Sequence, residues 1–188
     1  MSQENYSAYD HEGRRKYLTH SEGRRFLKWA RKLPRYEGLF CMTIFYTGMR
    51  ISEALALTVQ DVDFATGVIR ICSLKKREHR EYRRIPVPNV ILAGLRKLTG
   101  ESTEGPIWTF SRSTGWRIIK RVMEQAEITG IHATTKGLRH GFGVRGALAK
   151  IPLNLLQLWF GHSQSATTAI YLDVRDDEER TLIQRTWK

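Results

Sequence analysis

A mainly α-helical domain carrying one small antiparallel β-sheet, an α+β fold, is the class this sequence predicts. Three observations predict it. Apolar residues recur at helical spacing along most of the chain, a short stretch between Val68 and Val87 switches to β-branched residues in extended runs, and 188 residues suffice for one self-sustaining core. Thr19-His20-Ser21-Glu22 has the spacing of a capping box, and Phe26, Leu27, Ala30 and Leu33 follow on one helical face before Pro34 ends the run. Leu39 to Thr47 is a second apolar helix, closed by Gly48, whose tolerance of positive φ suits a C-terminal cap. A short third helix, Ile51 to Leu57, starts at once, so Arg50 stands at a tight corner between helices where backbone amides also attract anions.

After the turn from Asp63 to Gly67, Val68 to Cys72 reads as a strand and Arg84 to Val87 as a second extended run. The segment from Lys75 to Arg83 between them is predicted to form a long, basic hairpin tip. Helices resume at Asn89 to Leu98, Thr114 to Ala126 and Leu138 to Lys150, with a Gly/Ser/Thr/Glu loop from Gly100 to Gly105. Pro152, Gly161 and Ser163 to Thr168 punctuate further helices. Asp176 to Trp187 is a last one, with acids in its first turn and Leu182, Ile183 and Trp187 sharing a face. No internal repeat is visible.

Charge narrows the function. There are 31 Lys and Arg against 19 Asp and Glu, a net charge of +12. Five of the acids, Asp173, Asp176, Asp177, Glu178 and Glu179, crowd the C-terminal segment, which leaves the rest of the chain still more basic. Such an excess implies a polyanionic partner. No apolar run approaches the ~20 residues that span a bilayer, and the polar start lacks a signal peptide, so a soluble, intracellular protein is expected. Cys41 and Cys72 lie in apolar stretches and read as buried, reduced thiols. The absence of GxxxxGK[ST], HExxH and GxSxG motifs, and of metal-ligand spacing among the histidines, removes the usual support for nucleotide hydrolysis, zinc hydrolysis and serine esterase chemistry.

Cations, histidine and tyrosine remain, and they suit a phosphodiester: Arg forks onto phosphate oxygens, Lys or His moves protons, and Tyr can act as nucleophile. Three segments bring them forward, namely Thr47 to Leu55 (TGMRISEAL), Leu138 to Gly143 (LRHGFG) and Trp159 to Tyr171 (WFGHSQSATTAIY). Singly, such residues are more often a capping arginine, a core histidine or a half-buried aromatic. Their order and spacing point elsewhere. Together they resemble the two arginine boxes and the histidine-plus-nucleophile box of the tyrosine recombinase, or phage integrase, family, over a match running from about Tyr17 to Val174.

This resemblance implies the tyrosine recombinase catalytic-domain fold and a site-specific DNA recombinase that needs no metal, cofactor or ATP, because the tyrosyl link conserves the phosphodiester energy. Arg50 and Arg139 would clamp the scissile phosphate, Tyr171 would attack it to give a 3′-phosphotyrosine, and His162 would bond a non-bridging oxygen. A hairpin lysine would protonate the leaving 5′-oxygen. Lys75 is preferred to Lys76 because it lies nearer the strand, which still fixes its direction, and alternation sends the two to opposite faces. Lys76, Arg77, Arg80 and Arg83 are then expected to contact DNA. Arginines near the nucleophile are also expected to lower the pKa of the phenol, ordinarily ~10.

Two departures from the family stand out. Lys136 occupies the place where the family most often has histidine; it is read either as a base for the tyrosine or as a phosphate donor, the donor being preferred for its reach and intrinsic pKa of ~10.4. Fewer than twenty residues precede the first predicted helix. The chain therefore reads as an excised catalytic domain or as a short form resembling the fimbrial invertases. The expected layout is a flexible segment over residues 1–16, a catalytic domain over 17–175, and a C-terminal helix over 176–188 that docks on a neighbouring protomer. Double-stranded DNA, other copies of the chain in a tetramer and an accessory DNA-binding protein are the expected partners, in a prokaryotic cytoplasm at the nucleoid, with no membrane. A type IB topoisomerase-like activity and a non-catalytic DNA-binding module are the alternatives.

Overall fold

A computed structural model describes residues 7–73, 81–161, 166–172 and 183–184. Helix α1 (His20–Ala30) begins where the sequence predicts, on a complete capping box in which Thr19 accepts from the Glu22 amide and Glu22 from the Thr19 amide. The Glu22 carboxylate also receives both terminal nitrogens of Arg15 and lies 3.2 Å from His132 Nε2. One carboxylate thus ties the segment before α1 to the turn that leads into a much later helix.

That tie bears on the N-terminus. Residues 7–16 are folded, correcting the expectation of a flexible segment there: Ala8 and Tyr9 are buried, the Lys16 amide donates to the Ala8 carbonyl, and the Tyr9 and Tyr17 hydroxyls meet at 3.2 Å. Two aromatic rings buried edge to face supply the apolar contact that holds so short a segment.

Helix α2 (Arg35–Thr47) ends at Gly48, where φ is +61° and an added Cβ would lie 2.6 Å from Phe142. Both backbone sign and close packing therefore demand glycine. Helix α3 (Ile51–Leu55) follows and stops two residues sooner than predicted. Strands β1 (Val62–Asp63), β2 (Val68–Cys72) and β3 (Tyr82–Pro86) form one antiparallel sheet in the order β1-β2-β3, with Ile69 opposite Ile85 and Ile71 opposite Arg83. Helices α4 (Asn89–Thr99), α5 (Arg112–Gln125), α6 (Thr135–Leu148), α7 (Leu153–Phe160) and α8 (Ala166–Ala169) complete the order, and a 3-10 turn, Ile170–Leu172, carries the chain past Tyr171.

Helix α2 is packed by α1, α4, α5 and α6, and its residues Leu39, Phe40 and Ile44 join Phe26, Ile69 and Ile91 in the main core. A second, smaller cluster gathers Ala8, Tyr17, Val144, Leu156, Phe160 and Tyr171. Cys41 is buried in the main core, which pushes its thiol pKa up, whereas Cys72 at the strand end is only partly buried. Among the described residues no helix is long and apolar enough to cross a membrane. The tip lysines and arginines, Lys75, Lys76, Arg77 and Arg80, lie outside the described residues, as does the predicted last helix apart from Ile183 and Gln184.

Burial opposes charge on Glu22, but hydrogen bonds from His132, Arg15 and Thr19 outweigh it and hold its pKa far below the ordinary 4.5. A lowered folded-state pKa contributes stability that is present above the unfolded value and lost as pH falls through the folded one. Urea midpoints measured from pH 6 to pH 2 should therefore fall less steeply for Glu22→Gln than for the parent, from a lower starting stability.

Candidate active site

Glu53 sits at the bottom of the site, on α3, with 2% of its surface exposed. The Arg50 amide donates to Glu53 Oε2 at 2.8 Å and the Arg50 side chain to Oε1 at 2.9 Å, so the first turn of α3 closes on its own N-cap arginine. From β3, Arg83 donates to both carboxylate oxygens, at 2.6 and 3.3 Å. Burial works against the charge on Glu53, and Arg83 and Arg50 overcome it, leaving its pKa lowered. Glu53 is ionised and holds two guanidinium groups in register.

The same corner positions the second arginine. Arg139, 8% exposed on α6, donates to the Gly48 carbonyl and to the Phe160 carbonyl, each at 2.8 Å, and lies 4.6 Å from the centre of the Phe160 ring. Arg83 Nε donates to the Trp159 carbonyl at 2.7 Å. Two buried cations thus cover carbonyls at the C-terminal end of α7, where unsatisfied acceptors and the helix dipole both favour positive charge. Burial, followed by repulsion from Arg50, pushes the Arg139 pKa down to about 9, while Glu53 and Tyr171 act the other way.

Tyr171 is 1% exposed. Its ring stacks on Phe160 with centroids 4.9 Å apart, and its other flank rests on Gly143, where a Cβ would come within 2.5 Å of the ring. Its hydroxyl lies 3.2 Å from His140 Nδ1. Burial raises its pKa to about 12, whereas Arg139 and Arg50 act to lower it. The arginines therefore act in the expected direction, but desolvation wins. The expectation of a net lowered phenol is corrected: the hydroxyl keeps its proton.

The structure brings Arg50, Arg139 and Tyr171 together. Lys136, in the first turn of α6, is exposed, and its charge reaches His140 and Lys16. His162, Lys75, Lys76, Arg77 and Arg80 lie outside the described residues. Arg83 does not sit where the sequence suggests. It was expected at the basic tip as a DNA contact, yet strand alternation turns it to the same face as Ile85, where it is 8% exposed and bound to Glu53. Sequence reasoning missed Glu53 and His140. For Glu53 a signal existed, an acid three residues after an N-cap arginine; for His140 none did, since its partner lies 31 residues away. Among the described residues, no three His, Cys, Asp or Glu side chains cluster to hold a metal.

The phage integrase family profile matches residues 16–178, and the chain belongs to that family. Tyrosine recombinase XerA of Pyrococcus furiosus is 26% identical over 181 residues, covering 90% of this chain and 61% of that protein. Tyrosine recombinase XerC of Oceanobacillus iheyensis is 28% identical over 149 residues, covering 73% of this chain and 48% of the relative. The chain thus spans about half to three-fifths of the length of these curated relatives. Among solved structures, a XerA recombinase superposes with a TM-score of 0.78 at 23% identity, covering 92% of this chain and 65% of the other. The catalytic domain of bacteriophage HP1 integrase superposes at 0.67 with 20% identity, covering 89% and 93%. A XerH recombinase solved in a pre-cleavage complex with its difH substrate gives 0.72 at 20% identity, covering 96% and 60%.

Glu53→Gln should destabilise the fold by about 3–5 kcal/mol, the scale for removing one partner of a buried ion pair, because Arg83 keeps its charge with no carboxylate to meet it. Chemical denaturation checks this. Gly143→Ala should lower stability by about 1–3 kcal/mol through overpacking and move the Tyr171 ring, visible as shifted aromatic resonances for that residue while those of Phe26 stay in place.

Proposed function

We propose that this chain is the catalytic part of a site-specific recombinase that cleaves and rejoins double-stranded DNA through a 3′-phosphotyrosine link. The observation that carries the reading is the convergence of the Arg50 and Arg139 charges on the Tyr171 hydroxyl. A phosphodiester seated between the two guanidinium groups would meet planar donors matched to its oxygens. Oη of Tyr171 then attacks phosphorus, and the arginines stabilise the charge that builds on the non-bridging oxygens. The 5′-oxygen leaves with a proton from Lys75, and His162 bonds a non-bridging oxygen. Attack by a 5′-hydroxyl on the tyrosyl phosphate reverses the sequence and reseals the strand. Lys136, exposed at the start of a helix, adds a third cationic donor.

The net charge of +12 supports DNA as the partner, and the XerH structure with its difH substrate shows a similar fold engaged with DNA. Strand exchange would take place within a tetramer of this chain on paired sites, with residues 176–188 docking on the neighbouring copy and an accessory DNA-binding protein shaping the site. Its place of work would be the prokaryotic nucleoid.

A nicked duplex that traps the covalent intermediate tests this reading. The parent should form an adduct that survives denaturation; Tyr171→Phe should bind DNA and form none; Arg50→Ala and Arg139→Ala should each lose at least ~10² in rate. Recombinant products distinguish recombinase from topoisomerase, which would only relax the DNA. Binding without adduct would mark a regulatory module.

A further inference from the structure

Resting on that reading, we infer that His140 is the base that takes the proton of Tyr171 as it attacks the phosphodiester. The Tyr171 hydroxyl is buried in the wall formed by Phe160 and Gly143, and its hydrogen bond is to His140 Nδ1 at 3.2 Å. His140 stands on the same helix as Arg139, one residue on, so the helix that grips the phosphate also holds the ring beside the nucleophile. Lys136 sits exposed in the first turn of that helix, and no hydrogen bond joins it to Tyr171 among the described residues.

The hydrogen-bond inventory fixes the proton positions. His140 Nε2 is buried and has no partner among the described residues. If Nδ1 carried the proton and donated to Tyr171, both the phenolic hydrogen and the bare Nε2 would lack a partner. With the proton on Nε2, the phenol donates to Nδ1 and only Nε2–H remains unpaired. Each buried unpaired polar group costs about 1–3 kcal/mol, so the second arrangement wins. It is also the arrangement in which Nδ1 presents a lone pair to the reacting hydroxyl.

In the step itself, an Oη lone pair forms the new bond to phosphorus while the phenolic proton passes to Nδ1. The bond from phosphorus to the 5′-oxygen breaks, its electron pair leaves on that oxygen, and Lys75 supplies the proton. For ligation the 5′-hydroxyl passes its proton back to the neutral Lys75 as its oxygen bonds to phosphorus, the bond from phosphorus to Oη breaks with its electron pair on Oη, and the imidazolium returns its proton there. The charges facing His140 are Lys136 and Arg139 from its own helix, Lys16 from the segment before α1, and neutral Tyr171 from the 3-10 turn. Burial and then these three cations hold its pKa down to about 4, so the free enzyme keeps a neutral imidazole but a weak base. A phosphodiester bound beside Arg139 offsets the cations and favours the imidazolium. Basicity at Nδ1 therefore rises when substrate is present, which couples activation of the nucleophile to DNA binding.

The test compares single-turnover adduct formation on the nicked duplex by the parent and by His140→Asn, each with tyrosine or 3,5-difluorotyrosine at position 171. Asparagine can still accept a hydrogen bond from the phenol but cannot take its proton. With tyrosine, His140→Asn should bind DNA within about twofold of the parent and lose ~10²-fold in rate near neutral pH, the scale of general-base assistance. With the more acidic fluorinated phenol, the loss should shrink below about tenfold. An equal loss with both nucleophiles, or a loss under about threefold with tyrosine, overturns the proposal. A parent that forms no adduct overturns the underlying reading instead. The DNA-free parent provides a check that needs no variant: nitrogen chemical shifts of His140 should report a neutral ring protonated on Nε2 at pH 6, and an Nδ1-protonated ring overturns the assignment.

Discussion

A single buried carboxylate organises the site. Glu53 is the anion between Arg50 and Arg83, and without it two guanidinium groups would share an apolar corner with Arg139 close by. Desolvating an ion is expensive, and only close, multiply hydrogen-bonded pairing offsets it. The geometry meets that condition: one amide and two guanidinium groups reach the two oxygens of Glu53. Arg83 then carries the constraint to the Trp159 carbonyl, and Arg139 ties the neighbouring Phe160 carbonyl to Gly48. Helices α2, α3, α6 and α7 and strand β3 are thereby fixed to one another through charge rather than through apolar contact alone.

Tyr171 follows a different rule. It is placed by packing, between the Phe160 ring and the bare backbone of Gly143, and the same packing that fixes its position removes it from water. Desolvation opposes the phenolate, arginine charge favours it, and the balance at about 12 says that desolvation is the larger effect in the protein alone. The site's surplus of positive charge favours an anion, and under the proposed function a phosphodiester would supply one at the place where it changes the protonation balance.

Much of the fold was legible in the sequence because its signals are local. The capping box at Thr19 and Glu22, the glycine after Thr47 and the β-branched run from Val68 to Cys72 each fixed an element boundary to within a residue. Helices α5 and α6 begin two and three residues sooner than predicted, since Ser111 and Thr134 cap them through single hydroxyl bonds with no acid at the third helical position to complete a capping box. Motif order singled out Arg50, Arg139 and Tyr171, whose charges and hydroxyl the fold brings near one another. Arg83 was misread because charge was given more weight than period: Ile85 faces the core, so the residue two before it must as well. His140 was illegible for a plainer reason. Its significance lies in a contact made by the chain 31 residues later, and nothing local in LRHGFG distinguishes a histidine that packs from one that accepts a proton.

The segment before α1 shows how far the site's electrostatics extend beyond its motifs. Arg15 and Lys16 are adjacent, yet they have opposite surroundings. Arg15 is neutralised by Glu22, which anchors the segment; Lys16 is left beside Lys136, and burial together with that repulsion lowers its pKa. Anchoring through Arg15 is what keeps Lys16 near Lys136 and His140 despite the repulsion. Fold energy spent on the Glu22 network thus maintains a concentration of like charge that would otherwise disperse. Such a concentration is unfavourable in the free protein and becomes favourable only against a polyanion, so the same arrangement that weakens the resting imidazole would make it responsive to the DNA of the proposed function.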